Sequence, residues 1–262
     1  MKIGQYKITK RKIIADEIWA NLKFQAQVYD DVTKLKVATN NRAGRLDYRS
    51  HDVEAAIAGI EAAHKVAKQT LVDTYLVNVP EELQAWQRDS PGVGEHTLAR
   101  LLGTIGDPCI ALPMWWEGTG AKRHLVEGKR FIRTVPQLWQ YSGVGDSSRK
   151  RSRGMSAEEA MGLGNPDSKM LLYLMAESSM KGRITARKNG RVSPYGDLYD
   201  KLREEVADKE HSVECRRCGP SGKPKQPGTP WNPGHQMAHA LRLVGKQMLA
   251  DIHTIRLEAI TS

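Results

Sequence analysis

The sequence predicts a mainly α-helical protein: a long helical hairpin of coiled-coil character, then a helix-hairpin-helix domain, then a C-terminal helix stapled by zinc. Three observations carry that prediction. Apolar residues recur at spacings of three and four along the first 80 residues, which is the stripe of amphipathic helices. A Pro-Gly-apolar-Gly turn, Pro91-Gly92-Val93-Gly94, stands between two helical patterns. A Cys-x-x-Cys pair, Cys215 and Cys218, precedes His235 and His239 at metal-ligand spacing. The segments expected are residues 1–80, 81–192 and 193–262.

Ile14, Ile18, Leu22, Ala26, Tyr29, Val32 and Leu35 mark one face of the first helix, and the polar stretch 39–45 interrupts it. Ser50 is placed to cap a second helix, with Asp52 and Glu54 near its positive end and Val53, Ile57, Ile60, His64, Ala67, Leu71 and Tyr75 as its stripe. The two form an antiparallel hairpin within the chain or a coiled coil that makes a homodimer; periodicity alone fits both. His64 lies on the apolar stripe and reads as a packing residue.

A third short helix over residues 81–87 leads into the glycine turn. Gly92 and Gly94 are read as permitting φ > 0 and a close approach, so that Gly92, Val93 and Gly94 aim backbone N–H groups at a phosphate. Residues 111–133 read as a basic, partly aromatic insertion, and Lys122, Arg123, Lys129 and Arg130 are its candidate phosphate contacts. The following stretch reads as a Gly- and Ser-rich loop that ends in Arg149, Lys150, Arg151 and Arg153, further DNA-binding candidates. Asn165-Pro166 and Ser193-Pro194 each open a helix, with a basic loop expected over residues 181–191 between them.

The Cys and His residues have the donor set of a tetrahedral zinc site, with Cys215, Cys218, His235 and His239 as ligands and His211 in reserve. Four protein ligands leave no open position, so the zinc is expected to be structural, fixing the Pro-rich loop to the last helix. Asn232 and Pro233 suit the start of that helix. A redox role fits less well, because no strand and helix of a thioredoxin-like unit flank the pair. Cys109 stands alone and reads as a small buried apolar residue.

Composition bounds the function. Forty Lys and Arg against 30 Asp and Glu leave a net charge of +10, with an isoelectric point near 9.5. That balance favours polyanionic partners, DNA or RNA, over acidic small molecules. No apolar run has the length to cross a bilayer and the N-terminus lacks the apolar core of a signal peptide, so a cytoplasmic protein without membrane association is expected.

In order along the chain, Pro91-Gly92-Val93-Gly94 with Leu101-Leu102 and Ile105-Gly106-Asp107, then Tyr141-Ser142-Gly143, then Leu171-Leu172-Tyr173-Leu174-Met175-Ala176 resemble the C-terminal transposase domain of the insertion-sequence transposases guided by a bridge RNA. The likeness covers residues 81 to the end, and the preceding helices are similar to that family's coiled-coil connector. The resemblance implies a nucleophilic serine, for which Ser147 in Asp146-Ser147-Ser148 is nearest and Ser148 the alternative; neighbouring arginines would stabilise a phosphoserine-DNA intermediate. The family's RNase-H-like domain with four acidic residues has no counterpart in the helical residues 1–44. The resemblance therefore implies a transposase-like DNA-binding protein of mobile-element or phage origin. Two other readings stand beside it: a serine recombinase completed by a partner nuclease subunit, and an RNA-associated or structural assembly protein.

Overall fold

The computed structural model describes residues 10–112, 114–122, 124–146, 154–156, 159–160, 162–216, 218–219 and 223–262. The fold is mainly helical. None of the described helices is long and apolar enough to cross a membrane. The chain divides into two compact units, one of residues 1–84 and 95–132, the other of residues 85–94 and 133–262. This division cuts across the three consecutive segments expected, because the helix after the glycine turn packs with the N-terminal hairpin rather than with the helices that follow it.

In the first unit, α1 (Lys10–Ala43) and α2 (His51–Asn78) lie antiparallel: the Tyr29 and His64 rings are 5.1 Å apart, and Lys36 reaches Glu61 at 3.9 Å. Leu22, Ala26 and Tyr29 face Ala67, Leu71 and Tyr75 as buried residues. The two helices thus pair within the chain. Ser50 caps α2 by accepting the Val53 N–H, as its position before the apolar stripe predicts. The polar residues 39–43 do not end α1, however. Thr39, Asn40 and Asn41 are weak helix formers but Arg42 and Ala43 are strong ones, and the helix closes only at Gly44, whose N–H still bonds the Asn40 carbonyl at 2.9 Å.

Helix α4 (Glu95–Ile105) completes this core with Leu98, Ala99, Leu101 and Leu102, all fully buried. Gly103 is what lets it approach α1: a Cβ there would stand 2.7 Å from the Ala26 Cβ and 2.8 Å from the Leu22 carbonyl oxygen. Arg100 meets Asp30 of α1 at 2.7 Å, largely shielded from solvent. After α4 the insertion forms an antiparallel ribbon. Strand β1 (Ile110–Ala111) pairs with β4 (Phe131–Ile132), and β2 (Met114–Glu117) with β3 (His124–Glu127), around a 3-10 turn (Gly120–Lys122).

Helix α3 (Glu81–Arg88) contributes to both units along its length. In the second unit, α5 (Val135–Tyr141) occupies the start of the stretch expected to be loop. Its helix follows from a capping box, in which Thr134 and Gln137 satisfy each other's backbone N–H groups, with Pro136 in the first turn. Helices α6 (Pro166–Lys188), α7 (Pro194–Glu204) and α8 (Pro233–Thr261) pack on one another around Leu171, Leu172, Met175, Leu241, Val244 and Met248. Asn165 and Asn232 cap α6 and α8 through their side-chain oxygens. Ser193 precedes α7 without making such a bond.

Candidate functional site

Between α7 and α8 the chain doubles back. The backbone pairs Glu210 with Pro230 and Cys215 with Lys225, both antiparallel. Further hydrogen bonds run in the same register: the Trp231 N–H to the Lys209 carbonyl, the His211 N–H to the Thr229 carbonyl, and the reciprocal pair between Cys215 and Lys225. A single register thus carries residues 209–215 past residues 225–231. It delivers His211 to the base of the hairpin, where α8 begins, and Cys215 to its tip.

His211, Cys215, Cys218 and His235 bring their ligand atoms within 4.8 Å of one another, a cluster that could hold a metal ion. The His235 Nδ1 lies 3.6 Å from the Cys215 Sγ and 3.2 Å from the Cys218 Sγ. Three members are buried, and the Nε2 of His211 has no hydrogen-bond partner, a cost that an ion would relieve. Trp231 stacks on the His235 ring at 4.0 Å and 3°, which fixes the orientation of the imidazole as an outer-shell partner does.

His239 is not part of this cluster, which corrects the ligand set expected from H-x3-H spacing. It lies one turn farther along α8, against the edge of the Trp231 ring at 5.3 Å. The physical reason is the hairpin: His211 and Cys215 share the strand 209–215, Cys218 follows just beyond it, and the returning strand 225–231 delivers a single histidine, His235 in the first turn of α8, to complete the four. Burial pulls the His239 pKa below its ordinary value, and Arg242 and Lys209 add to the effect.

The glycine turn has a different construction from the one expected. Gly92 has φ +89°, and a Cβ there would lie 2.5 Å from the Ser179 Cα and 2.7 Å from the Ser178 carbonyl oxygen. Its missing side chain makes room for α6, a protein neighbour. Val93 is buried, donates its N–H to Ser90 and accepts the Gln87 amide at its carbonyl. Gly94 is not in the left-handed region and has open space around it, so of the three predicted contacts it alone is exposed. The turn is anchored by side chains as well. The Trp86 indole N–H donates to the Tyr195 hydroxyl at 2.8 Å, and that hydroxyl donates to Asp251 at 2.6 Å.

Among the basic candidates, Lys122, Lys129 and Arg130 are exposed on the ribbon. Arg123, Ser147, Ser148, Arg149, Lys150, Arg151 and Arg153 lie outside the described residues. The basic stretch 181–191 is a loop only at its end, since α6 runs to Lys188. Two of its arginines are committed to α7: Arg183 meets Asp200 at 3.0 Å, and Arg187 meets Asp197 at 2.6 Å and Asp200 at 2.7 Å. Arg191 donates to the Arg88 carbonyl. The exposed cations Arg216, Lys223 and Lys225 sit at the tip of the metal-cluster hairpin.

His64 and His96 both pack on Tyr29, with ring centroids 5.1 and 4.4 Å away. Burial, then the charges of Arg100 and Lys68, lower the His96 pKa to about 4, so the ring is neutral at physiological pH. Cys109 is fully buried. No family of known proteins matches this chain, and no curated protein matches it.

Proposed function

We propose that this chain is a DNA-binding protein of transposase-like descent whose C-terminal hairpin is stapled by a structural zinc ion. The zinc reading rests on the donor set. Two thiolates and two imidazoles suit zinc, and Zn–S of about 2.3 Å with Zn–N of about 2.0–2.1 Å at the tetrahedral angle implies S···N separations of about 3.5 Å. The separations of 3.6 and 3.2 Å to His235 bracket that figure. With both cysteines ionised and both histidines neutral, the ion and its ligands carry no net charge and no open position. Its part is to hold the hairpin, without chemistry of its own.

The observation that carries the DNA-binding reading is the charge of +10 with exposed cations on two separate ribbons: Lys122, Lys129 and Arg130 on one, Arg216, Lys223 and Lys225 on the other. Such residues neutralise phosphates without reading bases, so binding is governed by counterion release. Titrating labelled duplex DNA and single-stranded RNA of equal length over a salt series tests the proposal. The affinity for duplex should fall steeply with salt and exceed that for RNA. A flat salt response refutes DNA binding, and a preference for RNA favours the RNA-associated reading.

A further inference from the structure

Helix α8 carries His239, Arg242 and Lys246 on one flank, at spacings of three and four residues, beside the face that buries Leu241, Val244 and Met248. Lys246 is fixed by α5: its ammonium lies 4.0 Å over the Trp139 ring, and its carbonyl accepts the Trp139 indole N–H at 2.8 Å. Arg242 is half-buried, yet among the described residues its guanidinium makes no hydrogen bond or ion pair. A guanidinium has five N–H donors, and leaving them unmet away from bulk water is unfavourable.

We propose that Arg242 and Lys246 form a phosphate-binding site on α8 that takes a phosphodiester of the nucleic-acid backbone, with His239 at its edge. The proposal rests on the DNA-binding reading above and assigns it a contact. A planar guanidinium fork matches two phosphate oxygens, and an ammonium pinned over an indole supplies a second fixed charge. The electrostatics agree. Burial lowers the pKa of Arg242, with Asp146 as the opposing charge, and burial and the nearby Arg242 together lower that of Lys246. Like charges held together and partly desolvated are relieved by an anion, and phosphate is the anion this partner offers.

The test uses the full metal-loaded chain and the variants Arg242→Gln, Arg242→Lys and Lys246→Gln. Labelled duplex DNA of about 30 base pairs is titrated over a potassium chloride series. Arg242→Gln should weaken binding about tenfold and reduce the slope of log affinity against log salt by about 1, as expected for one lost phosphate contact. Lys246→Gln should reduce the slope similarly, whereas Arg242→Lys should keep it. Thermal melts in pyrophosphate form the second arm: pyrophosphate should raise the melting temperature of wild type and not of Arg242→Gln.

Wild-type affinity and slope in both Gln variants overturn the site. If wild type binds no duplex but pyrophosphate stabilises it through Arg242, the DNA reading falls and the site is one for free phosphate compounds. If neither ligand acts, both fall. Arg242→Gln is expected to fold, since it removes a half-buried charge that makes no hydrogen bond or close ion pair among the described residues; if it melts low, the comparison of Arg242→Lys with Lys246→Gln decides.

Discussion

Replacing His211 by Ala, beside His239→Ala, separates the ligand set of the structure from the one that sequence spacing suggests. The structure makes His211 a member of the four and leaves His239 a turn away along α8. Structural zinc sites bind with about 10–16 kcal/mol, so one ligand of four carries about 2.5–4 kcal/mol, equivalent to a loss of about 10²–10³ in affinity. His211→Ala leaves its main-chain bonds to Thr229 and Gly228 in place, so the effect reads the imidazole and not the hairpin. The assay is zinc transfer to a chromophoric chelator, with the metal content of the purified proteins measured alongside. Wild type and His239→Ala should hold one zinc per chain, and His211→Ala should surrender its zinc at far lower chelator concentration. Retention by His211→Ala with loss from His239→Ala would refute the hairpin argument; wild type that purifies without zinc and melts unchanged in EDTA would refute the zinc site altogether.

Gly92→Ala forces an L side chain into a left-handed conformation and against the backbone of α6, costing about 1–2 kcal/mol for the conformation and about 1–3 for the overlap. Gly94→Ala meets nothing, so urea unfolding should show a large loss for the first and less than about 1 kcal/mol for the second. Tyr195→Phe strips a hydrogen bond from both Trp86 and Asp251 and should lower stability by about 1–3 kcal/mol in the same assay, leaving the fold unchanged by circular dichroism. The His96 pKa of about 4 lies below the 6.5 of an unfolded histidine, so the unfolded state binds the extra proton first. The stabilising contribution of neutral His96 is complete above pH 6.5 and is lost as pH falls towards 4. The melting temperature of wild type relative to His96→Gln should accordingly decline over that window; a constant difference would count against a neutral, half-buried His96.

Features that depend on neighbours a few residues away can be read directly from the residue order. Helix periodicity, the Ser50, Asn165 and Asn232 caps and the buried role of Cys109 were all legible, because a helical turn and a cap are closed by groups within four positions. The cysteine pair and His235 were legible for the same reason, as two short-range motifs. Features that depend on register between distant segments emerge only once the chain is folded. The pairing of residues 209–215 with 225–231 returns the start of α8 to the strand that carries His211 and Cys215, so that His235 meets both, while the sequence pattern offered two histidines on a shared helix face. The close approach of Ser178 and Ser179 gives Gly92 a packing role, and Asp197 and Asp200 engage arginines that composition alone counts as free cations. A residue type fixes which chemistry it can offer; which partner receives it is set by backbone pairings and helix packing, whose free energy is spread over many residues far apart in the chain.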